Sequence, residues 1–461
     1  MRAAATDLAT RAARRRVLGW MAFDWASQPF YTLCLTFVFG PYFAATMAEA
    51  YMGQGLAEGP ADARAQALWS WTQVAVGLAI AVTAPLLGAL ADRTGRRRGW
   101  LWAFSTLYVA GTAGLWIMAP DASGASLALA AFALAMIGAE YATVVTNAML
   151  PGLAPRAAIG RVSGSGYALG YAGGVLALLV FLLLFADDGT GRTLLGRPPA
   201  LGLDGAEREG TRFVGPFTAL WFALFMVPFA VWVREPPAPR RAVSLRAALG
   251  DLRALLRALP GRPSLMAWLA GSMLYRDALA ALYAFGGTYA ALVLDWETTQ
   301  IGLFGILGAV TAAAASWVGG RLDAARGPKP VIVGCCAILT AVVGALALTS
   351  REMLLGFPLP PGSVAPDVAL YVMGAVIGGA GGVLQAASRT MMVRHADPGR
   401  ATEAFGLYAL SGKATAFLAP LAIGVATAAT ESARLGVFPV AFLFLAGLVL
   451  LRWVDPEGDR P

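Results

Sequence analysis

Apolar runs of about 20 residues recur along the whole of this chain. That is the length an α-helix needs to cross the roughly 30 Å of hydrocarbon in a bilayer. Inside hydrocarbon every backbone N–H and C=O must be satisfied within the chain, so such runs read as helices. A membrane β-barrel would show alternating segments of about ten residues instead, and the sequence has none. Charged residues make up 13% of the 461 residues, about half the share a soluble protein carries.

Twelve spans are read, at 17–47, 66–91, 99–119, 126–150, 162–186, 213–233, 264–294, 299–320, 330–349, 368–390, 402–430 and 435–454. One short turn punctuates them twice. In GALADRTGRRR, Gly88 closes an apolar run, Asp92 follows four residues later, and Arg93, Gly95, Arg96, Arg97 and Arg98 come next. GGRLDAARGPK repeats the pattern with Gly319, Asp323, Arg326 and Lys329. One such turn per half implies an all-α integral membrane protein of twelve transmembrane helices in two pseudo-symmetric six-helix halves. The expected units are a cytoplasmic tail (1–16), a first half (17–233), a linker (234–263), a second half (264–454) and a cytoplasmic tail (455–461).

Cations set the orientation. The even-numbered connections hold Arg93, Arg96, Arg97, Arg98, Arg156, Arg161, Arg321, Arg326, Lys329, Arg394 and Arg400, and the central one adds Arg234, Arg240, Arg241, Arg246, Arg253, Arg257 and Arg262. The odd ones are acidic by comparison, apart from the long mixed loop 187–212, read as an extracytoplasmic insertion. Positive loops stay inside, so both termini are expected in the cytoplasm. The same placement explains the net charge of +8 without nucleic acid. The start is not a cleavable signal peptide, because its apolar run is too long and contains Asp24.

In the linker, Leu245, Leu249, Leu252, Leu256 and Leu259 share one helical face, and Arg246, Arg253 and Arg257 share another. This predicts a tether helix lying on the cytoplasmic membrane surface. Glycines at four-residue spacing, Gly166, Gly170, Gly174 and Gly374, Gly378, Gly382, predict close helix packing. Cys34, Cys335 and Cys336 read as small buried apolar residues, and His395 as a loop residue without a special role.

Charge inside a membrane span is costly and marks function. Asp24, Gln28 and Tyr31 line one face of span one; Glu140, Thr143 and Asn147 do so in span four; Gln385, Ser388 and Arg389 in span ten. Arg276 and Asp277 lie in span seven and Lys413 in span eleven. Of these, Asp24, Gln28, Tyr31, Glu140, Asn147, Arg276, Asp277, Gln385 and Lys413 are the candidates for binding substrate or protons, a carboxylate carrying the proton and a cation holding an anionic group. Asp92 and its arginines, with Gly88, Gly95 and Asp323, are the candidates for gating, the second copy forming the weaker latch. An enzyme would need a nucleophile–base set or metal ligands; one histidine and three cysteines without ligand spacing supply neither, so no metal and no cofactor are expected. ATP drive is not expected either, since the GxxxxGK[ST] loop is missing.

The GALADRTGRRR turn, the twelve spans and the central loop resemble the major facilitator superfamily. FDWASQPFYT, NAMLP, SGYALGYAGG, QAASRTMM, EAFGLYALSGK and YRDALAALYAFGGTYA further resemble its vacuolar-effluxer-like branch, which includes autophagy-related vacuolar amino-acid effluxers and bacterial relatives of unassigned substrate. The resemblance implies the major facilitator fold, with a central cavity lined by spans one, four, seven and ten, in a bacterial inner membrane. The expected function is a secondary active transporter moving a small polar solute, an amino acid among the candidates, by proton-coupled alternating access. Its expected partners are substrate, protons and membrane lipids, with no obligate protein partner. The alternatives are a non-transporting solute sensor or scaffold on this fold, and a transporter of organic acids or peptides.

Overall fold

The computed structural model describes residues 10–188, 190–235 and 244–459, and these are predominantly helical. Among them, eleven helical stretches are long and apolar enough to cross a membrane. They are Arg11–Gly53 (span one), Glu58–Thr94 (two), Ala125–Gly152 (four), Arg156–Leu184 (five), Glu209–Trp232 (six), Pro263–Leu294 (seven), Thr299–Arg326 (eight), Pro328–Ala347 (nine), Ala365–His395 (ten), Pro398–Thr430 (eleven) and Ala433–Trp453 (twelve). Span three is the α-helix Arg97–Gly114, extended by a 3-10 turn over Leu115–Ile117. It is shorter and opens on two arginines, yet it sits in the bundle: Tyr108 stacks on Phe222 of span six at 4.2 Å between ring centroids.

Two spans are interrupted, each for a chemical reason. Span one passes into a π-helix over Phe30–Phe37 directly after Pro29, whose ring removes a ladder donor and crowds the preceding turn. Span eleven, expected to be continuous, breaks between the helices Ala401–Ala414 and Leu418–Thr430. Pro420 can neither donate to the carbonyl of Ala416 nor pack against it.

The halves meet along two related seams. Span two of the first half crosses span eleven, and span eight of the second half crosses span five; each seam pairs the second span of one half with the fifth of the other. At the first seam Gly88 lies against the backbone of Thr402 and Glu403; at the second, a Cβ on Gly164 would stand 2.5 Å from the carbonyl oxygen of Ser316. The two glycine ladders pack chiefly inside the halves, although Gly166 also meets Arg389 of the second half. Gly166, Gly170 and Gly174 face Asp24, Gln28 and Thr32 of span one, while Gly374, Gly378 and Gly382 face Phe304, Gly308 and Ser316 of span eight.

Both described chain ends gather at one end of the bundle. There Glu457 reaches Arg156 at 3.0 Å and Arg394 at 2.7 Å, and the Lys329 ammonium donates to the Val454 carbonyl at 2.7 Å. The linker helix Leu245–Ala258 lies at the same end, its Asp251 carboxylate paired with Arg93 of span two. Arg240 and Arg241 fall outside the described residues. His395, expected in a loop, is the last residue of span ten and is buried. One ring nitrogen shares a hydrogen bond with Ser264 Oγ at 2.8 Å and the other meets the Met391 carbonyl at 3.0 Å, because residues 455–459 cover this corner. The loop 187–212 lies at the opposite end. The buried Asp187 carboxylate pairs with Arg208 and accepts the Thr211 N–H at 3.0 Å, while the Arg212 guanidinium covers the Trp116 ring at 4.9 Å.

Candidate functional site

Bonds between the halves are stacked in three tiers, starting at the end where the described chain ends lie. The outer tier is built on the first turn motif. Gly95 closes span two at φ 60°, a left-handed position open to a residue without Cβ. The reversal brings Arg97 back onto Asp92, whose Oδ1 accepts from Nε at 3.1 Å and Nη2 at 2.8 Å. The same carboxylate crosses to span eleven, accepting from Thr402 Oγ1 at 2.7 Å and from the Glu403 N–H at 2.9 Å. Asp92 thus caps a helix of the other half, where negative charge is favoured by the helix dipole and by unpaired N–H groups. Arg97 adds bonds to Thr402 Oγ1 at 2.9 Å and to the Pro398 carbonyl at 3.2 Å. Arg93 turns to Asp251, while Arg96 is exposed.

The second copy of the motif occupies the matching place with fewer bonds. Asp323 is 1% exposed and packs its carboxyl against Gly160 at the start of span five. Neither of its oxygens has a hydrogen-bond partner by distance and angle, although Thr390 and Arg394 of span ten face it. Asp92 therefore carries the polar part of the closure and Asp323 the packed part.

The middle tier centres on Arg389 of span ten, 3% exposed. Its Nη1 donates to Asp24 Oδ2 at 3.0 Å and to Asn147 Oδ1 at 3.2 Å. Its Nε and Nη2 reach Ser163 Oγ at 2.9 Å and the Ser163 carbonyl at 2.8 Å. The guanidinium also lies over the rings of Trp20 at 4.8 Å and Tyr167 at 4.4 Å. One cation of the second half is thereby held by spans one, four and five of the first.

The inner tier lies further along the same spans; Glu140 is about 10 Å from Asn147 along span four at 1.5 Å per residue. Glu140 pairs with Lys413 of span eleven at 3.1 Å, and both side chains keep some exposure, 17% and 24%. Tyr31 faces Glu140 and Thr143. Gln385 of span ten donates to the Tyr171 hydroxyl of span five at 2.8 Å, and Tyr283 of span seven faces both. Gln28 lies against Gly174.

Arg276 and Asp277 make their contacts with span eleven, the Arg276 guanidinium lying against Gly412 beside Lys413. The Arg276 guanidinium lies 4.0 Å over the Tyr408 ring and donates to the Tyr408 carbonyl at 2.9 Å. The buried Asp277 carboxylate accepts the Ala419 N–H at 3.1 Å, capping the helix that restarts after the break in span eleven. Both side chains of the dipeptide thus hold the broken span. Sequence reasoning noticed Arg389 only as part of a stripe, and it missed Ser163, Tyr167 and Tyr171. Their four-residue spacing along span five was the available signal.

A family model described as "Vacuole effluxer Atg22 like" matches residues 12–460. The chain is 24% identical over 444 residues to an uncharacterized MFS-type transporter, YxiO, of Bacillus subtilis, covering 95% of this chain and 94% of that protein. Autophagy-related protein 22-2 of Aspergillus fumigatus is 25% identical over 323 residues, which are 65% of this chain and 50% of the fungal protein. The chain therefore spans about half of that relative. Among solved structures, the human organic anion transporter MFSD10 matches at a TM-score of 0.69 and 17% identity, over 95% of this chain and 99% of that one. The proton:xylose symporter XylE matches at 0.68 and 13%, over 96% and 95%. At such identities the structures show the fold, which is that of the major facilitator superfamily. The family model, which covers nearly all of the sequence, adds the lineage: the chain belongs to the Atg22-like vacuole effluxer family of multi-pass membrane transporters.

Proposed function

We propose that this protein is a secondary active transporter that moves an amino acid by proton-coupled alternating access, in a bacterial inner membrane with both termini in the cytoplasm. The observation that carries the reading is the Glu140–Lys413 pair, which joins opposite halves beyond the Arg389 tier. When the halves part, each charge loses its partner, and a group of opposite charge is favoured beside each. A zwitterion resolves this, its ammonium group on Glu140 and its carboxylate on Lys413. A simple organic acid would satisfy only Lys413. The Glu140 carboxylate is the proposed place of proton coupling, which the Glu140→Gln variant tests. The orientation rests on the arginine-rich connections gathered with the described chain ends. The bacterial assignment rests on the similarity to the Bacillus relative.

The test is counterflow of labelled amino acids into liposomes holding the purified protein. Uptake above empty liposomes is expected. Glu140→Gln is expected to lose accumulation driven by a pH gradient and to weaken exchange, because it removes the charge that holds the ammonium group. Absence of uptake by folded protein would overturn the amino-acid reading and turn the search to peptides and organic acids. Accumulation by Glu140→Gln equal to wild type would remove Glu140 from the proton path.

A further inference from the structure

The linker helix Leu245–Ala258 carries three distinct faces. Ala248 and Leu255 are buried against the bundle, and Asp251, on the same side, pairs with Arg93 and accepts from Arg400 through its carbonyl at 3.1 Å. About 90° round the helix, at 100° per residue, runs the leucine stripe. Three of its residues are open, Leu245, Leu249 and Leu256 being 57%, 48% and 46% exposed, while Leu252 is half-buried and Leu259 packs against the core. A further 90° or so round stand Arg246, Arg253 and Arg257, all exposed.

This order of faces fits one environment. A helix lying at the edge of the bundle, at the level where span two ends, meets protein on one side, acyl chains on the next and headgroups beyond. Leucines left half-exposed along one line would be unfavourable in water and are favourable at the acyl boundary. Three arginines beside that line, with no acidic side chain among them on their own face, select negative headgroups. The helix has one acidic residue, Asp251, and it is turned inward to Arg93. We propose that the linker helix is a binding surface for anionic lipid of the leaflet on its own side, with the leucine stripe in the acyl boundary and the three arginines on the headgroups. Because Asp251 touches both span two and the start of span eleven, the docked helix braces the outer tier of the closure.

The test uses the full chain in liposomes and does not depend on transport. The three native cysteines are buried, so a polarity-sensitive thiol label can be placed by Leu249→Cys, Leu256→Cys or, on the far side, Ala254→Cys. In phosphatidylcholine with about a third phosphatidylglycerol, labels at 249 and 256 are expected to be quenched by spin-labelled lipid and the label at 254 is not. Phosphatidylcholine alone should lower that quenching at least about twofold. The triple variant Arg246→Gln, Arg253→Gln and Arg257→Gln should remove the difference between the two lipids. Equal water exposure at 249 and 254 would overturn the docking. Equal quenching in both lipids would overturn the anionic preference.

Discussion

Arg389 illustrates what one residue does in this molecule. It is almost fully buried, and its donors are spread over Asp24, Asn147 and Ser163 in three spans of the other half. Removing one member of a buried pair strands the other, at a cost of roughly 3–5 kcal/mol, whereas removing both can be nearly neutral. Arg389→Gln and Asp24→Asn are each expected to destabilise the purified protein strongly, and the double variant by clearly less than the sum. A double-mutant cycle on chemical unfolding in detergent measures this; additive losses would mean the two charges act independently. Asp277 makes a different prediction. As a cap on the Ala419 N–H, it should tolerate Asn, which keeps an acceptor oxygen, while Asp277→Ala should cost about 1–2 kcal/mol in the same assay. The charges themselves were legible in the sequence, since a charge in an apolar run is conspicuous. Their partners were not. Nothing local to span one says that Asp24 faces a residue 365 positions away.

Among the elements, the seams matter most, and they depend on backbone contact. Gly164 stands where any side chain would meet the backbone of Ser316 and Gly320, and backbone cannot yield as a flexible side chain can. Gly164→Val is expected to weaken the seam by about 1–3 kcal/mol, the usual cost of overpacking. Spin labels at Arg161 and Arg326, both exposed at the ends of spans five and eight, should then report a longer distance. Gly334→Val in span nine, where an added Cβ meets nothing within 4 Å, should leave the distance unchanged; an equal shift in both variants would show that the effect is not local to the seam. The sequence announced the spans and the turn motifs because hydrophobic length and glycine spacing are local signals. It did not reveal that the ladders pack chiefly within halves, since the same spacing serves either partner. The break in span eleven was marked by Pro420, which an apolar run of the right length concealed. His395 looked like a loop residue because the chain segment that buries it arrives from 60 or more residues away.

For the whole molecule, the question is what holds the halves together at the end where the described chain ends lie. Asp92 contributes bonds to Thr402 and Glu403, Arg97 adds Pro398, and Glu457 ties Arg156 of one half to Arg394 of the other. All of these cross between the halves, beside the two packed seams and the Arg389 tier, and are expected to bias an equilibrium between closed and open arrangements. Removing the Asp92 carboxylate deletes charge-assisted bonds worth about 1.5–3 kcal/mol each. Even one such bond is close to a tenfold change in an equilibrium constant. Asp92→Ala is therefore expected to shift the distance between labels at Arg161 and Arg326 toward a longer, open population. It should also slow counterflow while solute binding persists, because the inner tier lies elsewhere. A variant that keeps the short distance would show that the packed seam of Asp323 and Gly160 closes this end by itself. One that loses solute binding with its fold intact would place Asp92 in the binding site and not in the latch.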